Sequence, residues 1–168
     1  IVIDKEQGSA NPSPMELGTA VGIKEVIAWW GDGYEALRFI DSEEDIPRDK
    51  LVKVPSIAPK VFPLERGAFS PIFAGCTKIN DPSISEWDVS AWPNLGGMFQ
   101  LANLFNQPLN WDVSNAGNMN GMFQGAASFD QDLSSWCVAK ILAEPEGFAA
   151  GSQLQPDHFP VWGTCPAE

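Results

Sequence analysis

Residues 87–131 read WDVSAWPNLGGMFQLANLFNQPLNWDVSNAGNMNGMFQGAASFDQ, one phrase written nearly twice. The second copy begins at Trp111, and a worn third copy, WCVAKILAEPEGFAAGSQLQ, begins at Trp136. Trp87, Trp111, Trp136 and Trp162 lie 24, 25 and 26 residues apart. Phe73, Phe99, Phe123 and Phe148 lie 26, 24 and 25 apart. A recurrence of this length marks a unit that cannot bury its apolar face alone and stacks on the next copy. The periodic Trp and Phe residues are therefore read as a structural ladder, each ring lying on its copy one repeat away.

Each unit divides into two parts. Ile84-x-x-Trp87-x-Val89 and Leu133-x-x-Trp136-x-Val138 have the apolar spacing of a leucine-rich-repeat strand. Trp111 and Val113 continue that ladder, with Asp112 and Ser114 on the opposite side. Met119, Met122, Phe123 and Ala126 then sit at i, i+3, i+4 and i+7, which predicts a short helix. Leu95, Met98, Phe99 and Ala102 repeat this spacing, with Asn94 and Asn118 where N-caps belong. The expected fold class is an α/β solenoid of leucine-rich-repeat-like coils of about 25 residues, each a short strand plus a short helix. One structural domain is expected. Residues 1–66 form an N-terminal cap and divergent first coil, 67–154 the regular solenoid, and 155–168 a C-terminal cap.

The chain carries 22 acidic against 10 basic residues in 168, a net charge of −12. That argues against nucleic acid and anionic membrane surfaces, which require a basic patch. No apolar run is long enough to span a bilayer, so no membrane insertion by this segment is expected. The sequence opens on Ile1 and reads as a mature product or an excised domain.

Few residues offer chemistry. His158 stands beside Asp157 and reads as a surface histidine; without further His or Cys at ligand spacing no zinc site is expected. No cofactor motif is present. Asp88 and Asp112 fall one coil apart, about 5 Å if strands pair. That distance suits a retaining glycosidase pair, but an exposed polar ladder explains it more simply. Asp130–Asp132 and Asp41–Asp45 offer oxygens without the spacing of a calcium loop. The candidate ligand-binding set is Asp88, Ser90, Asp112 and Ser114 on the exposed rows, with Trp92 as an aromatic anchor if it is exposed and a core residue if it is not. Cys76 takes a small inward position and reads as a buried thiol. Cys137 and Cys165 follow consecutive ladder tryptophans by one and three residues. They are either a disulfide sealing the last coil, implying an oxidising compartment, or two unlinked small residues.

FNQPLNWDVSNAGNMNGMFQGAASFDQDLSSWCV resembles the repeat of BspA-like leucine-rich-repeat surface proteins. More closely, it resembles the subgroup described as a mycoplasma lipoprotein-associated domain of unknown function. The resemblance covers about residues 69–166. The chain departs from it at Trp92 and Ala116, where the family pattern has Val, and in a long insertion near residues 55–66. In that family W-C-V and W-G-T-C-P segments occur together, which fits a Cys137–Cys165 bridge. The resemblance implies cell-surface or secreted proteins, often adhesive and binding host or matrix proteins, with no catalytic residue to carry over. The expected location is extracellular, cell-surface or virion-surface. The expected function is a non-catalytic recognition or adhesion module that binds a protein or glycan through the exposed solenoid face. The alternatives are a surface-layer, appendage or virion decoration domain in multicopy assembly and, last, a carbohydrate-processing enzyme.

Overall fold

A computed structural model describes residues 52–54 and 72–167. The expected N-terminal cap and divergent first coil, and the acidic run at 41–45, lie almost wholly outside those residues.

The repeat copies lie side by side, joined by backbone hydrogen bonds. The amides of Leu95, Gly97, Phe99 and Leu101 donate to the carbonyls of Asn118, Asn120, Met122 and Gln124. Phe73 and Gly75 donate in the same way to Met98 and Gln100, and Gly121, Phe123 and Gly125 to Glu146, Phe148 and Ala150. Between these lie amides that turn inward: Met98, Gln100 and Ala102 donate to Leu95, Gly97 and Phe99 three residues back. Along this stretch, then, every second amide bonds across to the next copy and the others close turns.

The short helix expected in each repeat is not formed. Successive turns take its place, and the described residues contain only two 3-10 turns, Pro82–Glu86 and Pro156–His158. The physical reason is the backbone at two positions per repeat. Gly97, Gly121 and Gly147 have φ of 64°, 62° and 64°, and Gly75, Gly125 and Gly151 have φ of 72°, 70° and 78°. A left-handed residue every few positions interrupts an α-helix, and glycine adopts that conformation without steric cost. Leu101, at φ 59°, occupies the place of Gly125 in its own repeat. The expected strands are also replaced, by turns closed at Asp88–Ser90 and Asp112–Ser114. One isolated parallel bridge joins Asn94 to Asn118.

The core is a continuous aromatic column. Phe73, Phe99 and Phe123 stack with centroids 5.4 and 5.6 Å apart. Phe105 and Phe129 form a second column 5.8 Å apart, each lying 3.9 Å from the Phe of its own repeat. Trp87, Trp111 and Trp136 are buried and tilt against Phe73, Phe99 and Phe123. The Trp111 and Trp136 indole N–H groups donate to the carbonyls of Ile84 and Leu109 in the preceding repeat. A buried indole nitrogen requires such a partner.

Phe148 departs from the expected ladder. The Phe99 amide bonds Met122 and the Phe123 amide bonds Phe148, so Phe148 holds the position of Met122, not that of Phe123. Its ring meets Phe123 edge-on at 87°, where the other phenylalanines of the column lie nearly parallel. Ala149 takes the phenylalanine place, and Phe159 and Trp162 fill the space edge-on to Phe148 at 5.7 and 5.0 Å.

Polar rungs run beside the rings. Asn80 Oδ1 accepts from the Asn106 amide and Asn106 Oδ1 from the Asp130 amide, while Gln107 and Gln131 reach back to the same asparagines. Asn94 and Asn118 cap the amides of Gly96 and Asn120 and bond each other at 3.0 Å. Asp81 is buried, its two oxygens accepting from the amides of Val54 and Ser83. The bond to Val54 satisfies a buried amide that would otherwise be costly.

Candidate functional site

The exposed side of the repeats is built from a three-residue unit, Asp-x-Ser. The middle residue, Val89 or Val113, points into the core and anchors the unit. The flanking aspartate folds back on the serine. Asp88 Oδ1 accepts from the Ser90 amide at 3.0 Å and from its hydroxyl at 2.6 Å. Asp112 Oδ1 accepts from the Ser114 amide at 3.0 Å. This is the Asx-turn chemistry that lets aspartate compete with regular backbone structure.

These bonds set the charge of the row. The Ser90 hydroxyl, then its amide, holds the Asp88 carboxyl below the usual carboxylate range. Ser114 acts on Asp112 in the same way, opposed in small part by burial and by the nearby Asp88 charge. A retaining glycosidase pair needs one carboxyl held up as the acid. Both carboxyls here are shifted the other way, so this pair lacks that feature.

Asp132 and Ser134 make a third such turn, with the amide bond at 2.9 Å. The Ser134 hydroxyl and amide lower the Asp132 carboxyl, and the His158 charge adds to this. Sequence reading missed it because it lies off the repeat register; the recurring D-x-S pattern was the available signal. A further polar chain crosses three repeats. Asn115 donates to the Ala91 carbonyl, and Lys140 Nζ donates to Asn115 Oδ1 at 2.6 Å.

Trp92 does not belong to the exposed set. It is buried, edge-on to Trp87, with its amide bonded to the Val89 carbonyl. Ala116 and Ile141 make the same bond in their repeats and are buried too. The position faces inward in all three, so Trp92 fills interior space that Ala116 leaves to its neighbours.

His158 is more than a surface residue beside Asp157. Its Nδ1 lies 3.3 Å from Asp130 Oδ1. Both atoms are shielded from solvent, yet they are not aligned as a hydrogen bond. Nothing in the sequence links two residues so far apart. Asp130 faces His158, and Asp132 accepts from Ser134. Among the described residues no group of three His, Cys, Asp or Glu is placed to hold a metal.

Cys137 and Cys165 form a disulfide, and Cys76 is buried outside it. Around the bridge, the Val138 amide donates to Thr164 and the Gly163 amide to Ile141. The C-terminal segment is thereby strapped to the third copy. Among the described residues no helix is long and apolar enough to cross a membrane.

No curated protein and no solved structure matches the chain. A family model does match, over residues 67–162, the stretch that carries the aromatic column and the Asp-x-Ser turns. That is more than half of the sequence, and the chain belongs to the family described as Mycoplasma protein of unknown function, DUF285.

Proposed function

We propose that the chain is a solenoid of the BspA-like leucine-rich-repeat type, acting as a non-catalytic recognition or adhesion module at a cell or particle surface. The observation that carries this reading is the repetition of one exposed unit, Asp-x-Ser, on a side whose backing is rigid aromatic packing. Asp88 and Asp112 present ionised carboxylates in fixed geometry, and Ser90 and Ser114 lie beside them. A row of identical acceptors suits an extended ligand that repeats or runs along the stack, such as a glycan or a protein surface rich in donors. The disulfide supports an extracellular setting, because such bonds persist in oxidising compartments.

The test is an array of glycans and extracellular-matrix proteins probed with the isolated chain and with the Asp88→Ala/Asp112→Ala variant. Binding that the double variant loses is the expected result. Binding that persists undiminished in a folded double variant refutes the assignment of this row.

A further inference from the structure

Among the described residues, the hydrogen-bond ladder between copies has an open end. Gly97, Phe99 and Leu101 donate to the next copy, and Gly121, Phe123 and Gly125 do the same. The following set in this series is Gly147, Ala149 and Gly151. Gly147 and Gly151 share the positive φ of Gly121 and Gly125. The intervening amides of Phe148, Ala150 and Ser152 close turns onto Pro145, Gly147 and Ala149, as their counterparts do. The amides of Gly147, Ala149 and Gly151, however, donate to nothing among the described residues.

The C-terminal strap does not close this edge. Its backbone pairs with Leu133, Val138 and Ile141, and its two rings cover the Phe148 side chain. Three donors on alternate residues, two of them glycines and one alanine, are left with no bulky side chain of their own. Such an edge is a template for an added extended segment.

The charge around it selects the occupant. Glu144 and Glu146 are exposed immediately before the edge, and Asp157 is exposed beyond it. The single lysine or arginine after Lys78 is Lys140, already engaged by Asn115. A second copy of the chain would bring another net charge of −12 to an acidic edge, and like charges oppose association.

We propose that the Gly147–Ala149–Gly151 edge captures an extended, Lys- or Arg-bearing segment of a partner protein, whose carbonyls accept from these three amides as the next rung. Its basic side chains pair with Glu144 and Glu146. This surface is separate from the Asp88 and Asp112 row, so the two assignments stand or fall independently.

Amide hydrogen exchange on the isotope-labelled 168-residue chain tests it. In the free chain, Gly147, Ala149 and Gly151 should exchange roughly a hundredfold faster than Gly121, Phe123 and Gly125. The synthetic peptide KTVTKTV, in excess, should slow those three amides roughly tenfold, and its acidic counterpart ETVTETV should not. Ala149→Pro removes the middle donor without breaking an intrachain bond, and should weaken KTVTKTV binding about three- to tenfold. Should that variant fail to fold, exchange in the unmutated chain still decides. Edge amides already protected in the free chain overturn the proposal, as does equal protection by both peptides. Protection that grows with protein concentration alone assigns the edge to a second copy and also overturns it.

Discussion

Replacing Phe123 with alanine removes the ring on which most of the column depends. Phe123 stacks on Phe99 at 5.6 Å and on Phe129 at 3.9 Å, tilts against Trp136 at 6.4 Å and receives the edge of Phe148 at 5.5 Å. It is fully buried between copies on both sides, so little can collapse into the space. The expected loss is about 3–5 kcal/mol, the range for a core phenylalanine. For a chain of this size that lowers the melting temperature by roughly 6–20 °C. The comparison that gives the experiment its force is Phe148→Met. Phe148 occupies the place that Met98 and Met122 hold in their repeats, so a methionine there should cost less than about 1.5 kcal/mol. Thermal and urea unfolding of both variants gives the two values. Equal losses, or a larger loss for Phe148→Met, would refute the register shift and restore Phe148 to the stacked ladder.

Two other outcomes follow from the strap and the turns. The Cys137–Cys165 bridge closes a loop of 28 residues, worth about 3–4 kcal/mol in the chain-entropy model; adding dithiothreitol should lower the melting temperature while Cys76 resists alkylation in the native chain, and an unchanged melt counts against the bridge. Asp88, Asp112 and Asp132 have carboxyl pKa values lowered from 3.8 in the folded chain, so their contribution is present above that value and is lost as pH falls through the folded ones. A melting series from neutral pH downward should show a shallower acid loss when the three are changed to asparagine, and superimposable profiles contradict the assignment.

The interior was legible because its signal is redundant. Trp87, Trp111 and Trp136, with Phe73, Phe99 and Phe123, recur at intervals of 24–26 residues, and all six are buried. The local conformation was not legible from the same residues. Spacing of i, i+3, i+4 and i+7 arises from a helix and equally from two tandem turns that each advance the chain by a few residues. The glycines at 97, 121 and 147 and at 75, 125 and 151 separate the two cases, since two left-handed positions in eight residues leave no room for helical pairing. Phe148 misled for a different reason: a repeat of variable length places a phenylalanine near the expected count while the backbone pairing runs one residue out of step. At the candidate site, Asp88 and Asp112 follow from the alternation around Val89 and Val113. Trp92 could be placed only by comparison with Ala116 and Ile141, and the Asp130–His158 contact depends on how the strap returns, which no local pattern encodes.

The alternation of amides has a hereditary consequence. Gly97, Phe99 and Leu101 meet Asn120, Met122 and Gln124 in the same pattern in which Gly121, Phe123 and Gly125 meet Glu146, Phe148 and Ala150. These two junctions share one bonding pattern. Unequal crossing-over between the two near-identical gene segments adds or deletes a whole unit and rejoins matching donors to matching acceptors. A cut that is out of phase by one residue exchanges the amides that bond across for those that close turns, and breaks both sets at once. Selection on such a gene can change the number of units freely while their phase is held fixed, so lineages should differ in reach along the stack before they differ in the architecture of a single unit.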